Sequence, residues 1–69
     1  MLDELVPLVE HLQSEGAIVL LKWDGERSEN RCTVVVTRPT SGYMFRRDSD
    51  DISASLREAL SDYRAKHEE

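Results

Sequence analysis

The sequence predicts an α+β domain in which a helix at each end of the chain flanks three strands. Three observations predict it: apolar residues recur at helical spacing near both ends, the middle carries short runs rich in β-branched residues, and polar or glycine-containing segments separate these elements. The compact arrangement of helix, strand, strand, strand, helix is an antiparallel three-stranded sheet with both helices packed on one face.

The first helix is predicted over residues 2–15. Its apolar residues recur at spacings of one and three and so form one stripe: Leu2, Leu5, Val6, Val9 and Leu12. Pro7 is tolerated only near a helix start, so either Asp3 or Glu4 opens a distorted first turn or the regular helix begins at Pro7. Gly16 is the predicted end, because glycine readily adopts the left-handed conformation that follows a last helical turn.

Residues 17–24 and 31–38 are the first two predicted strands, since both are rich in β-branched and apolar residues. A tight turn at Asp24-Gly25 would disrupt the apolar pattern across the pair, so we predict a longer polar loop between them. That register puts six apolar side chains on one face, buries Trp23 and places Asp24 beside Arg31. Its apolar pairs are Trp23 with Cys32, Leu21 with Val34 and Val19 with Val36.

A third strand and a second helix complete the pattern. Pro39 and Gly42 mark a turn, and residues 43–47 follow as a short strand with Tyr43 and Phe45 on one side. The carboxylates within residues 48–51 favour a helix start. The helix is predicted over about residues 50–66, with an apolar stripe at Ile52, Leu56, Ala59, Leu60 and Tyr63.

Length and composition set limits on the kind of protein. The chain has 69 residues, which predicts one domain over residues 1–69 with frayed ends at 1–2 and 67–69 and excludes the large enzyme folds. No run approaches the ~20 apolar residues of a membrane span. Acids near the N-terminus argue against a signal peptide, and the single cysteine fits a reducing compartment, so we expect a cytoplasmic protein.

Charge is distributed unevenly along the chain. Residues 1–16 carry a net charge of −4, residues 17–49 carry +2 and residues 50–69 carry −3. Ordinary solvated helix faces explain this pattern, but so does a surface that binds a basic partner protein. We therefore predict a small acidic protein-interaction module, a stoichiometric inhibitor or adaptor of the antitoxin, immunity or anti-restriction type. Its candidate acidic face consists of Glu4, Glu10, Glu15, Glu58 and Asp62.

The face of the sheet away from the helices is a second candidate interface. In the predicted register its apolar residues are exposed among polar ones, a pattern typical of a partner or a second copy and also of a solvated sheet face. Self-association through it would make the protein a homodimeric accessory protein without independent activity. The candidate residues are Ile18, Leu20, Lys22, Thr33, Val35 and Arg46.

Single-stranded nucleic acid is the alternative ligand. Arg31, Arg46 and Arg47 lie near aromatic residues on the predicted sheet, and basic residues interleaved with aromatics can stack unpaired bases. This hypothesis ranks below a protein partner, because the predicted register buries Trp23. The helices carry too few basic residues to bind a duplex backbone.

The sequence favours a protein that is not an enzyme and uses no metal or cofactor. His11 and His67 are far apart in the sequence, and no zinc site can be read from it. Cys32 is predicted to face inward, where a thiol is inert. The serines and threonines have no base beside them, and no glycine-rich phosphate loop is present.

One segment resembles a known family. Residues 43–63, a strand followed by an acidic cap and a helix, resemble the end of HicB-type antitoxins. The resemblance covers less than a third of the chain and leaves out the first helix. It implies a protein partner that the chain neutralises, in agreement with the inhibitor hypothesis.

Overall fold

Two helices lie on one face of a three-stranded antiparallel sheet in the computed structural model, which describes residues 2–67. The predicted α+β fold is confirmed. Met1, Glu68 and Glu69, parts of the predicted frayed ends, lie outside the described residues. After a short 3₁₀ turn, Leu2–Glu4, the elements are α1 (Val6–Ser14), β1 (Ile18–Trp23), β2 (Cys32–Arg38), β3 (Tyr43–Ser49) and α2 (Ile52–His67).

α1 begins and ends where local chemistry requires. The separate 3₁₀ turn precedes it, and Pro7 lies in its first turn, where the missing N–H group costs nothing. At its end the Ala17 N–H donates to Leu12 O and the Gly16 N–H to Gln13 O, both at 3.0 Å. Gly16 has φ +91°, so this is the glycine-dependent helix end that the sequence predicts.

The register of β1 and β2 is the predicted one. Trp23 pairs with Cys32, Leu21 with Val34 and Val19 with Val36. A polar loop joins the strands, and the Asp24 N–H donates to Arg31 O across its base at 2.7 Å. The tight turn at Asp24-Gly25 does not form, because it would move the apolar side chains off their shared face.

The predicted burial of Trp23 is wrong. Its place in the strand puts it on the same face as Val19 and Leu21, yet 58% of it is exposed. Trp23 is the last residue of an edge strand, and the core against which Val19 and Leu21 pack does not include it. The helices therefore cover most of this face but leave its end at Trp23 open.

β3 and α2 differ from the sequence prediction at their shared boundary. β3 continues to Ser49, since Asp48 and Ser49 still pair with Thr33 and Cys32. α2 starts at Ile52, and the Asp51 carboxylate caps it by accepting a hydrogen bond from the Ala54 N–H at 3.1 Å. The carboxylate residues predicted to start the helix therefore have different roles, since Asp48 pairs within β3 and Asp51 caps α2.

The core lies between the sheet and the helices. α2 packs on β2 and β3, and α1 packs on β1. Val34 and Val36 from the central strand and Leu56 from α2 are the largest fully buried side chains. The apolar stripe of α1 is narrower than predicted, because 49% of Val6 is exposed. The remaining buried core residues are Leu5, Leu12, Ala17, Ala59, Leu60 and Tyr63.

Candidate interaction surfaces

The sheet face away from the helices carries three exposed apolar side chains. Strand pairing arranges its residues in three rows: Ile18, Thr37 and Met44; then Leu20, Val35 and Arg46; then Lys22, Thr33 and Asp48. Ile18 is 50% exposed, Leu20 59% and Met44 65%. All six residues that the sequence proposes for this interface lie on this one face. We call these nine residues the outward face.

The outward face changes from apolar to charged along the strands. At its charged end, Asp48 accepts a hydrogen bond from the buried Thr33 hydroxyl at 2.6 Å and lies 3.5 Å from Arg46 Nη2. This hydroxyl holds the pKa of Asp48 below its ordinary value. Arg27 bridges Asp48 and Asp24, with nitrogen–oxygen distances of 3.7 and 3.2 Å. The charges at this end are therefore paired with one another.

The five acids proposed as a partner-binding face come from different elements, namely the 3₁₀ turn, α1 and its C-terminal end, and α2. Glu4 lies 3.8 Å from Arg57, and Glu58 contacts Arg47 on β3. Asp62 accepts a hydrogen bond from the Tyr43 hydroxyl, and Glu15 accepts one from Tyr63. Glu10 is exposed on α1. Four of these carboxylates therefore contact basic or hydroxyl groups of the same chain.

The three arginines proposed for nucleic acid are also dispersed. Arg46 points to the outward face, whereas the pairing of Arg47 places it on the helix side, where it contacts Glu58. Arg31 borders a shallow pocket with the exposed Trp23, but two carboxylates, Asp24 and Asp50, line the same pocket. Asp50 Oδ1 also accepts a hydrogen bond from the backbone N–H of Arg31 at 3.1 Å. The aromatic ring is accessible, but its surroundings are not basic.

A polar cluster joins the end of α1, the end of β2 and the end of α2. The Tyr63 hydroxyl donates to Glu15 Oε1 at 2.8 Å and accepts from Arg38 Nη1 at 3.1 Å. The Tyr63 ring meets Tyr43 edge-on with centroids 5.4 Å apart and stacks on His67 at 4.1 Å. The sequence analysis missed this cluster, because residues 48 and 25 positions apart give no periodic signal.

Ser41 and His67 form a second contact that the sequence does not reveal. Ser41 Oγ lies 2.9 Å from His67 Nε2, and His67 Nδ1 lies 2.9 Å from Tyr63 O. A serine beside a histidine can act as a nucleophile, but acyl transfer also needs free N–H donors for the oxyanion. The Ser41 and Gly42 N–H groups donate to Arg38 O and Pro39 O. The contact is therefore better explained as an anchor for the end of α2, which extends to His67.

Each of two tyrosine hydroxyls is expected to set the pKa of a different carboxylate. The Tyr43 hydroxyl lowers the pKa of Asp62 below its ordinary 3.8, and the Tyr63 hydroxyl lowers that of Glu15 below its ordinary 4.5. Carboxyl NMR titration should show that Tyr43→Phe raises only the pKa of Asp62. Tyr63→Phe should raise only that of Glu15, so each variant is the control for the other.

The same shifts predict the direction of the pH dependence of stability. A carboxyl whose pKa is lower in the folded state stabilises the fold above its unfolded pKa. That contribution is lost as the pH falls through the pKa of the carboxyl in the folded state. Denaturant titrations should therefore show stability falling from about pH 5 downward, and less steeply in the two phenylalanine variants. An equal slope in all three proteins would contradict these assignments.

Within residues 2–67, the structure contains no group of three or more His, Cys, Asp or Glu side chains placed to hold a metal ion. In the same part of the chain, no helix has both the length and the apolar character needed to cross a bilayer. No protein-family model, curated protein or solved structure matches this sequence. The resemblance of residues 43–63 to HicB-type antitoxins therefore stays a prediction.

Proposed function

We propose that the chain is a small protein-interaction module, a stoichiometric inhibitor or adaptor, which binds a partner protein through the outward face. One observation carries this proposal: Ile18, Leu20 and Met44 are all at least half exposed on a sheet face that neither α1 nor α2 covers. Exposed apolar residues grouped on one face favour a protein contact. Lys22 and Arg46 border them and supply the polar rim that such a contact needs.

The acidic charge acts at longer range in this proposal. Four of the five candidate acids already contact groups of the same chain, so they are weak candidates for direct contact. The net charge of −5 nevertheless attracts a basic protein and speeds its association. We therefore propose a partner with a positive net charge and an apolar contact patch. Its association rate should fall as salt is added, because salt screens the attraction.

Charge insertion on the outward face tests this function. The full chain, tagged at one end, is used to capture proteins from native cell lysate with and without nuclease treatment. Wild type should retain one protein near a one-to-one ratio under both conditions, and Leu20→Lys or Met44→Lys should lose it. Both side chains are exposed, so each variant should stay within about 0.5 kcal/mol of wild-type stability. Circular dichroism checks the fold.

Ser28→Lys is the matched control, since it adds the same charge on the exposed loop between β1 and β2. It should keep the partner. Retention of the partner by both outward-face variants would show that the contact lies elsewhere. If Glu10→Lys released it instead, the acidic helix surface would be the binding site.

Single-stranded nucleic acid is the second candidate ligand, and the exposure of Trp23 beside Arg31 favours it. Asp24 and Asp50 in the same pocket weigh against it, because they repel phosphates. Under this alternative, an oligonucleotide should quench the fluorescence of Trp23, and charge reversal at Arg31, Arg46 and Arg47 should abolish the quenching. Nuclease treatment of the lysate would then remove the captured material.

A further inference from the structure

The free edge of β1 lacks the features that protect most edge strands. The strand order β1-β2-β3 makes β1 an edge, and its six residues include no proline, no glycine and one charge, Lys22. Edge strands usually carry charges, prolines or bulges, since their unpaired backbone groups otherwise pair with another chain. The opposite edge, β3, has three consecutive charged residues, Arg46, Arg47 and Asp48. β1 is therefore the edge suited to strand pairing.

The ladder with β2 determines which backbone groups of β1 point to this free edge. The hydrogen bond from the Asp24 N–H to Arg31 O marks these two residues as a hydrogen-bonded pair. Hydrogen-bonded pairs alternate in an antiparallel ladder, so Lys22, Leu20 and Ile18 bond to β2. Val19, Leu21 and Trp23 consequently direct their N–H and C=O groups away from β2.

A protruding side chain and an open groove lie at opposite ends of this edge, both on the helix-bearing face. Trp23 is largely exposed at the end of β1. At the start of β1, an open groove against α1 is lined by Val9, Gln13, Ala17, Ile18 and Val19. Val6 is exposed and lies on the same side of α1, since it precedes Val9 by three residues and Gln13 by seven. The free edge of β1 thus carries both an exposed tryptophan and a groove that could hold the tryptophan of a second copy.

We propose that two copies of this chain form a dimer in which their β1 strands pair antiparallel and Trp23 of each copy occupies the groove of the other. Pairing centred on Leu21 sets Trp23 opposite Val19 of the second copy, next to the α1 groove. This register also pairs every backbone group that Val19, Leu21 and Trp23 direct outward. A register centred on Leu20 would set Trp23 opposite Ala17, which precedes β1. The geometry therefore favours the Leu21-centred register.

This contact goes beyond the proposed function and uses a different surface. Strand pairing would form one six-stranded sheet whose two outward faces lie side by side. Leu20 of one copy would lie opposite Lys22 of the other, where the lysine stem can cover the exposed leucine. The dimer would therefore double the width of the proposed partner-binding face, with Ile18 and Leu20 of both copies near its centre.

The dimer can be tested with the full chain by analytical ultracentrifugation over a concentration series. We expect dimer formation between about 1 μM and 1 mM, as for small interfaces. Trp23→Ala should weaken it about 30-fold or more, as for a buried aromatic anchor. Gln13→Lys should weaken it by placing a charge in the groove. Met44→Lys, on the distant β3 strand, should leave it unchanged and is the control.

A mixture of the two interface variants gives a test that does not depend on their stability. Neither variant homodimer contains a Trp23 side chain in an unaltered groove. A dimer of one Trp23→Ala chain with one Gln13→Lys chain contains one such contact, because Trp23 of the second chain can occupy the groove of the first. The equimolar mixture should therefore dimerise more strongly than either variant alone. The absence of any recovery would overturn the proposal.

Amide exchange gives an independent readout at single residues. The amides of Val19, Leu21 and Trp23 should gain protection as the wild-type concentration rises, whereas those of Leu20 and Lys22 should be protected at every concentration. The only tryptophan of the sequence should also become less accessible to acrylamide. A monomer at about 1 mM, or a dimer that survives Trp23→Ala but is lost in Met44→Lys, would rule out pairing through β1.

Discussion

Replacing Leu56 by alanine is expected to lower the free energy of unfolding by about 3 kcal/mol. Leu56 is 1% exposed and lies in α2 among the largest fully buried side chains. The change removes buried apolar surface and leaves a cavity, and both terms destabilise the fold. A domain of this size has a free energy of unfolding of about 5 kcal/mol. The variant should therefore unfold at less than half the wild-type denaturant concentration.

Leu8→Ala is the matched control for this prediction, because it makes the same chemical change at an exposed site in α1. It should cost less than about 1 kcal/mol, since water already surrounds much of this side chain. Urea titrations followed by circular dichroism, at a concentration where both proteins are monomeric, measure the two costs. Similar costs for the two variants would show that the sheet and α2 do not form the stabilising core.

The sequence predicted the fold well because its main determinants are local or periodic. The β-branched run around Val34 and Val36 can be buried in one register only, and that register assigns a face to every neighbouring side chain. Gly16 ends α1 because it adopts a positive φ, a property of the residue itself. Neither feature needs information from distant parts of the chain.

The candidate surfaces were harder to predict, because exposure depends on what covers a residue. The alternation of side chains along β1 places Trp23 on the helix-bearing face. Whether a helix covers it depends on where the helices lie in the folded structure, and there Trp23 is left exposed. Counting charges likewise shows acidic helices but not that Arg47 contacts Glu58 or that Tyr43 contacts Asp62. A count of charges therefore overstates how many of them face a partner.

Tyr63→Phe is expected to lower the free energy of unfolding by about 1–2 kcal/mol, although it removes a single oxygen atom. The hydroxyl is the shared partner of Glu15 at the end of α1 and Arg38 at the end of β2. The Nε atom of Arg38 is already buried without a hydrogen-bond partner among the described residues. Loss of the hydroxyl therefore removes a hydrogen bond from a guanidinium whose Nε already lacks one.

Tyr43→Phe is the control, because its hydroxyl also binds a carboxylate, Asp62, but does not join α1 to the sheet. It should cost less than Tyr63→Phe in the same urea titration. Combining Tyr63→Phe with Glu15→Ala should cost less than the sum of the two single changes, because both remove the same hydrogen bond. Strictly additive costs would show that Tyr63 and Glu15 act independently.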